Sequence, residues 1–374
     1  MDVRNASGVA MMVVRAALWV VMSLWLLAGC ADAPKSLRVD PAEPFDVVTL
    51  PPISLPRDDA PHDNLTEWWY VTGHLQTAEG HPLGFEFVIF ESMREGAPTG
   101  YAAHFAITDI GQSTFTYAER TATGPSGPPP ADLNLCVSEW SIRRIPGGFS
   151  IVASLPEVAL QLELLPTKPA VLHNETGVLD FSPFGWSYYY SYPRVDARGV
   201  WLNEGLARPV QGTAWIDHQW GDFISVGTGG WDWFSVQLAD GRDFSSSVVR
   251  DDADNIVMQY GTLVDEVGAP RHLTAREFSI QPTDAWRSPH TGATYPSGWR
   301  IEIPGEALRM NVQPFLKDQE LDTRASTGVV YWEGAVEVTD QEQRIGHGYV
   351  ELTGYAPVSQ LPPPINTVAP GGSC

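Results

Sequence analysis

Asp217 and His218 stand side by side in GTAWIDHQWGDF, residues 212–223, between Trp215 and Trp220. A carboxyl walled by aromatic rings is desolvated, which keeps it partly protonated near neutral pH. The same rings stabilise a cation through their π faces, by roughly 0.5–2 kcal/mol each. Together they suit the protonation of an unactivated alkene and capture of the carbocation by water. They suit equally a hydrogen-bonding floor beneath a bound apolar ligand. Other ionisable groups interrupt apolar runs in the same way. Glu67 opens EWWY, Glu86 sits in GFEFVIF and His104 in YAAHFAITD. Such groups point to solvent, join structural hydrogen-bond networks, or line a site. The expected catalytic set is Asp217 with His104 and Glu67 nearby. The expected ligand contacts are Trp69, Glu86, Tyr188, Tyr190, Trp215, His218 and Trp220.

Several familiar chemistries find no support. The sequence has no G-x-S-x-G elbow, H-E-x-x-H, C-x-x-C, G-x-G-x-x-G or P-loop. Its nine His are scattered, none at ligand-like spacing from another, so neither a metal nor a cofactor is expected.

The elements that must hold these residues are strands. Forty aromatic residues (14 Trp, 12 Tyr, 14 Phe) with 34 Gly and 31 Pro favour short strands joined by turns. Alternation puts Glu67 on the face of Trp69 and Val71, and Glu86 with Val88 and Phe90. His104 shares a face with Ala106 and Thr108. Trp215, Asp217 and Gln219 point one way, His218 and Trp220 the other. In a barrel, one of those faces is the interior.

The chain also echoes itself. Residues 231–238, WDWFSVQL, lie over residues 68–75 without gaps. Residues 346–351, GHGYVE, repeat the Gly, any, small-residue, aromatic, β-branched, acid order of 212–217. A duplicated antiparallel unit follows, with a boundary near residue 222. The expected architecture is all-β, two lipocalin-like barrel or sandwich domains in tandem, residues 61–221 and 222–358, followed by a flexible tail, 359–374.

The N-terminus reads as an export signal. Arg4 and Arg15 precede an uncharged apolar run ending in Leu27-Ala28-Gly29-Cys30, the pattern of a bacterial lipobox. Residues 1–29 are then a signal peptide, Cys30 the lipidated N-terminus, and residues 30–60 a Pro-rich tether. Ala31 after the cysteine favours the outer membrane of a Gram-negative cell envelope. Cys136 and Cys374 remain in the body, where a disulfide is possible. The net charge of −22 argues against nucleic acid as a partner.

EWWYVTGHL, YAAHFAITD, YYYSYPR, GTAWIDHQWG and YWEGAVEV with GHGYVELTGY, in that order, resemble the AttH and carotenoid 1,2-hydratase family. The resemblance runs from about Glu67 to Tyr355. It implies two lipocalin-like β domains, in a family that includes fungal Diels–Alderases and kievitone hydratase. The Tyr-any-Asp element of the carotenoid hydratases falls on Trp215-Ile216-Asp217, which keeps the acid and replaces the Tyr. Their His-any-Trp element falls near Tyr188-Tyr189-Tyr190, where neither residue is kept. Three functions stay open: a hydratase or isomerase-like catalyst on an isoprenoid- or lipid-like molecule, a carrier of such a molecule, or an envelope scaffold beside an ABC exporter.

Overall fold

The computed structural model describes residues 50–94, 98–124, 129–182, 185–223 and 229–356. The export signal, Cys30, the 359–374 tail and Cys374 lie outside the described residues. Cys136 is disulfide-bonded.

Alternating apolar residues become strands because each can bury one face while completing a backbone ladder. The first run of strands is β1 (Thr66–Thr77), β2 (Pro82–Ser92), β3 (Gly100–Asp109) and β4 (Thr114–Thr123). It continues through β5 (Asn134–Val137), β6 (Trp140–Ile145), β7 (Gly148–Ser154) and β8 (Val158–Pro166). The short β9 (Val171–Leu172) and β10 (Val178–Asp180) precede two long strands, β11 (Gly185–Asn203) and β12 (Leu206–Phe223). They pair in the order 4-3-2-1-12-11-8-7-6-5, and β5 meets β3 and β4, so the sheet nearly closes into a barrel.

The second sheet starts with β13 (Gly230–Leu238), β14 (Asp243–Arg250), β15 (Ile256–Val264) and β16 (Pro270–Thr274). Short strands follow, β17 (Ser279–Pro282) in this sheet, then β18 (Ala285–Arg287) and β19 (Thr294–Pro296), which pair with each other as a separate two-stranded ribbon. Then come β20 (Trp299–Ile303), β21 (Leu308–Pro314) and β22 (Glu320–Thr323). β23 (Val329–Asp340) and β24 (Gln343–Thr353) complete it, in the order 16-15-14-13-24-23-21-20-17. This order repeats the first: four strands in sequence, then the last strand beside the first. The echo in the sequence is therefore a repeat of topology.

Each sheet encloses its own core. In the first, Trp69, Val71, Phe85, Phe87, Phe105 and Ile216 are among the buried side chains that face inward. In the second, Phe234, Phe244, Trp299, Met310, Trp332 and Val350 do the same. Fully burying each such side chain contributes about 1.5–3 kcal/mol. A third cluster joins the sheets, with Tyr70, Val88 and Trp215 of the first against Trp233, Ala335 and Tyr349 of the second. Gly84 on β2 permits a close approach there. A Cβ added to it would stand 2.7 Å from the Ala335 Cβ and 2.8 Å from the Tyr349 hydroxyl.

Residues 50–60, expected to belong to a tether, lie against the first barrel instead. Leu50, Ile53 and Leu55 pack on Tyr188, Tyr190 and Trp220, and Asp58, Asp59 and Ala60 are buried. The Trp69 indole donates to the Asp59 carbonyl at 2.9 Å, and Arg144 pairs with the Asp59 carboxylate. Proline-rich composition hid three apolar side chains that have a surface to cover.

Candidate functional site

Strand pairing sets up a lateral row on the outer face of the first barrel. Asp217 on β12 stands opposite Ser191 on β11 and Tyr70 on β1, Tyr70 opposite Val88, and Val88 opposite His104. The second sheet carries the matching row of Glu333, Glu351, Trp233, Ser247 and Tyr260. Asp217 and Glu351 thus hold the same place in the two repeats. The rows meet where the sheets pack. The Tyr70 hydroxyl donates to Glu333 Oε1 at 2.7 Å, and the Trp233 indole donates to the Tyr189 hydroxyl at 3.0 Å.

Asp217 is the sink of this hydrogen-bond network. Trp215 Nε1 donates to its Oδ1 at 2.6 Å, Ser191 donates to the same oxygen, and the Tyr189 hydroxyl donates to Oδ2 at 2.6 Å. Two of these donors, Ser191 and Tyr189, are themselves backed. His173 Nε2 lies 2.7 Å from the Ser191 hydroxyl, so with that hydroxyl's proton on Asp217 the imidazole is the donor. His173 Nδ1 then accepts from Thr262 at 3.1 Å, and the ring stacks on Tyr189 at 4.1 Å. Two ordered donor chains converge on one carboxyl. A carboxylate offers about four lone-pair positions, so one is left over, on Oδ2.

Burial pushes the Asp217 carboxyl up to about 6, against the opposing pull of Ser191, Tyr189 and Trp215. Burial likewise pushes Glu351 up to about 7, with Trp231 opposing and Asp217 adding to the rise. Its Oε2 accepts from the Trp231 indole at 2.9 Å. Glu86 and Glu333, deeper in the same interface, are held far above the ordinary carboxylate range by burial and by Glu351. Carboxyls tuned toward neutral pH are what proton transfer requires.

Asp217 and Glu351 both line a cavity of about 640 Å³ between the sheets. Trp68, Tyr70, Phe90, Tyr189 and Phe223 wall it from the first barrel. Trp231, Trp233, Val249, Met258 and Tyr260 wall it from the second. Its size and largely apolar lining are those of a small-molecule site.

A family model described as AttH-like matches residues 46–355, most of the chain. The chain belongs to the AttH-like family. Its fold matches that of an AttH-assigned protein from Nitrosomonas europaea with a TM-score of 0.75 at 33% identity. That match covers 84% of this chain and 100% of the other. Kievitone hydratase from Nectria haematococca matches with a TM-score of 0.64 at 16% identity, over 84% and 96% of the two chains. No curated protein matches the sequence.

In this AttH-like chain the expected site residues are distributed over three places. Asp217 lines the cavity, and Trp215 stands behind it as a donor. His104 shares the outer face and even the row of Asp217, but three strand spacings away, about 14 Å. It bonds Tyr331 at 2.8 Å and Ser326 at 2.9 Å, and burial lowers it to about 3. Glu86 lies between these positions, beside Tyr331. The expected proximity of Glu67 to Asp217 is not found, because Glu67 points to the opposite face of the same sheet.

There Glu67 joins His218, Trp69, Tyr190 and Trp220 at the end of the barrel covered by residues 50–62; Tyr188 packs nearby and donates to the Pro51 carbonyl at 2.6 Å. Tyr190 donates to Asp59, so the His218 Nδ1 3.1 Å from its oxygen carries the proton. His218 Nε2 therefore presents a lone pair to Glu67 Oε1, 2.6 Å away. Burial holds Glu67 well above and His218 well below their ordinary values, which places the shared proton on Glu67. His62 completes the group, with Nδ1 2.8 Å from the same oxygen. Ligand-type atoms of His62, Glu67 and His218 lie within 4.8 Å of one another. Their N···O separations are nevertheless hydrogen-bond lengths. Around a tetrahedral metal with bonds of about 2.0–2.2 Å, such atoms stand about 3.3 Å apart.

Glu351, Tyr189, Ser191 and His173 are site residues that sequence reasoning missed. For Glu351 the signal was present, since its acid falls at the place of Asp217 in the repeated hexapeptide, but it served only to argue duplication.

Proposed function

We propose that this protein acts on an apolar small molecule, isoprenoid- or lipid-like, held in the cavity between its two β units, by acid-initiated hydration or isomerisation. The observation that supports this most directly is the environment of Asp217. It is a cavity-lining carboxyl with three acceptor positions filled by fixed donors and a proton affinity raised to about 6. The proton on the remaining Oδ2 position is delivered to an alkene carbon, and the π electrons form the new C–H bond. The carboxylate left behind is stabilised by donors already pointing at it, so little reorganisation accompanies the transfer. The carbocation then takes water and releases a proton to a carboxylate, giving an alcohol, or loses a neighbouring proton, giving an isomer. The AttH-like family and the shared fold of kievitone hydratase are consistent with this chemistry.

Anchoring belongs to the same proposal: acylation at Cys30 holds the body at the cell envelope, where apolar substrates are concentrated. The test is to extract apolar molecules from protein purified out of its native membrane, then return them to the protein in D2O. Non-exchangeable deuterium in product or recovered substrate supports the proposal. Retention of an unaltered molecule without deuterium supports a carrier instead.

A further inference from the structure

We infer that the cavity is a site for positive charge on an apolar body, held between Asp217 and Glu351 and the rings of Trp68, Trp231, Trp233 and Tyr260. This rests on the reading of the cavity as an apolar ligand site and adds the chemical class of what it holds. An alkylammonium ion satisfies the description, and so does the carbocation formed by protonating an alkene.

The first argument is charge. Asp180, Asp251 and Asp252 also line the cavity, adding three carboxyls to Asp217 and Glu351. Arg250 is the single basic residue of the lining among the described residues, and its charge is spent within the protein. Its guanidinium reaches Asp232 at 2.5 Å, Asp254 at 3.0 Å and the Thr353 carbonyl at 2.7 Å, and it lies 4.5 Å over the Tyr355 ring. A ligand anion finds no counter-charge here. A cation finds several, in a setting where partial exclusion of water strengthens the attraction.

The second argument is the walls. Tyr70 and Trp233 meet at 5.1 Å with their planes 84° apart, and Trp68 meets Phe90 at 6.2 Å and 63°. These edge-to-face pairs set aromatic rings of the cavity wall at steep angles to one another. Aromatic boxes recognise quaternary ammonium groups. If the site evolved around a carbocation, a stable ammonium ion of similar shape imitates the intermediate and binds more tightly than a neutral analogue.

The experiment uses the full chain and N-phenyl-1-naphthylamine, a neutral apolar fluorophore, displaced by dodecyltrimethylammonium, dodecanol or dodecanoate. It runs at about pH 8, above the values for both acids, and about 0.15 M salt to screen the acidic surface. The ammonium ion is expected to bind at least about tenfold more tightly than dodecanol, with dodecanoate weakest. The ratio within each protein is the readout. It should fall toward one in the Asp217→Asn, Glu351→Gln double variant, or in Glu351→Gln alone if the double variant does not fold. Equal or better binding of dodecanoate overturns the inference. So does an ammonium preference that survives the substitutions, since it then belongs to the protein's overall charge. Failure of the fluorophore to bind overturns the apolar-cavity reading itself. Deuterium incorporation, together with the ammonium preference, assigns the site to a carbocation; the preference without deuterium assigns it to a resident cationic ligand.

Discussion

Asp217 and Glu351 occupy equivalent positions in the two halves of the protein: Asp217 faces Tyr70 across the β1–β12 pair, and Glu351 faces Trp233 across the β13–β24 pair. A duplicated β unit, packed through its outer face against its own copy, brings two versions of one acidic position to one cavity. The copies have diverged around these acids. Asp217 has Ser191 as its other cross-strand neighbour, a donor, where Glu351 has Glu333, another acid. The first is held by donors, the second among acids.

The donors to Asp217 set its strength as an acid. Tyr189 and Ser191 both favour its ionised form, so Tyr189→Phe or Ser191→Ala should raise its pKa above about 6. A general acid works while protonated, so the falling limb of the pH–rate profile should move to higher pH. The maximum rate should drop, because the carboxylate formed is less stabilised. A profile of deuterium incorporation against pH measures both, and an unmoved limb would detach these donors from the chemistry.

Glu351 carries a cost in stability that its neutral analogue should remove. Its folded pKa, about 7, lies above the unfolded value, so its contribution is full below the unfolded pKa and is lost as pH rises through 7. Glu351→Gln should therefore be more stable than the parent above about pH 7, by about 1–3 kcal/mol, and little different near pH 4. Trp231 keeps an acceptor in the glutamine oxygen. Urea unfolding at the two pH values checks this, and a stability gain confined to low pH would reverse the assigned direction.

How far the sequence carries can be judged at these residues. Alternation along 215–220 sorts Asp217 from His218 correctly, because a pleated strand leaves no other choice. It does not say which face is the barrel interior. Trp69, Val71 and Phe87 bury one face, and Tyr70, Val88 and Trp215 bury the other against the second sheet, so both faces are apolar. The grouping of Glu67 with Asp217 fails for that reason. His104 lies on the right face and in the right row, yet row position depends on strand register and strand order, which no local pattern records.

Glu67 and His62 should govern the covering segment and leave cavity binding alone. Glu67→Gln or His62→Ala removes part of a buried hydrogen-bond group and should cost about 1–3 kcal/mol. Hydrogen exchange of residues 50–62 should quicken. Ligand selectivity in the cavity should stay within about twofold of the parent, within the scatter expected for an uncoupled site. A large loss of selectivity in either variant would tie the two faces of the sheet together.

Gly84 tests whether the two units must sit closely for the cavity to exist. Gly84→Val sets side-chain atoms against Ala335 and Tyr349 and should force the sheets apart locally. Overpacking of this kind costs about 1–3 kcal/mol. Affinity for an apolar fluorophore should fall while the circular dichroism of the strands is kept. Unchanged binding would place the ligand within a single barrel.

The role of Asp217 is tested most directly by comparing the parent with Asp217→Asn, using the apolar molecule that co-purifies with the protein. The amide keeps an oxygen acceptor for the converging donors but has no proton of carboxylic strength to give. Turnover in D2O, followed by mass spectrometry, should fall by about 10²-fold or more, the scale of lost acid–base catalysis. The molecule should still be retained. Equal turnover in the two proteins would contradict the assignment of Asp217 as the acid. A change of about 1–3 kcal/mol in affinity alone, with no turnover in either protein, would make it a ligand-orienting group in a carrier.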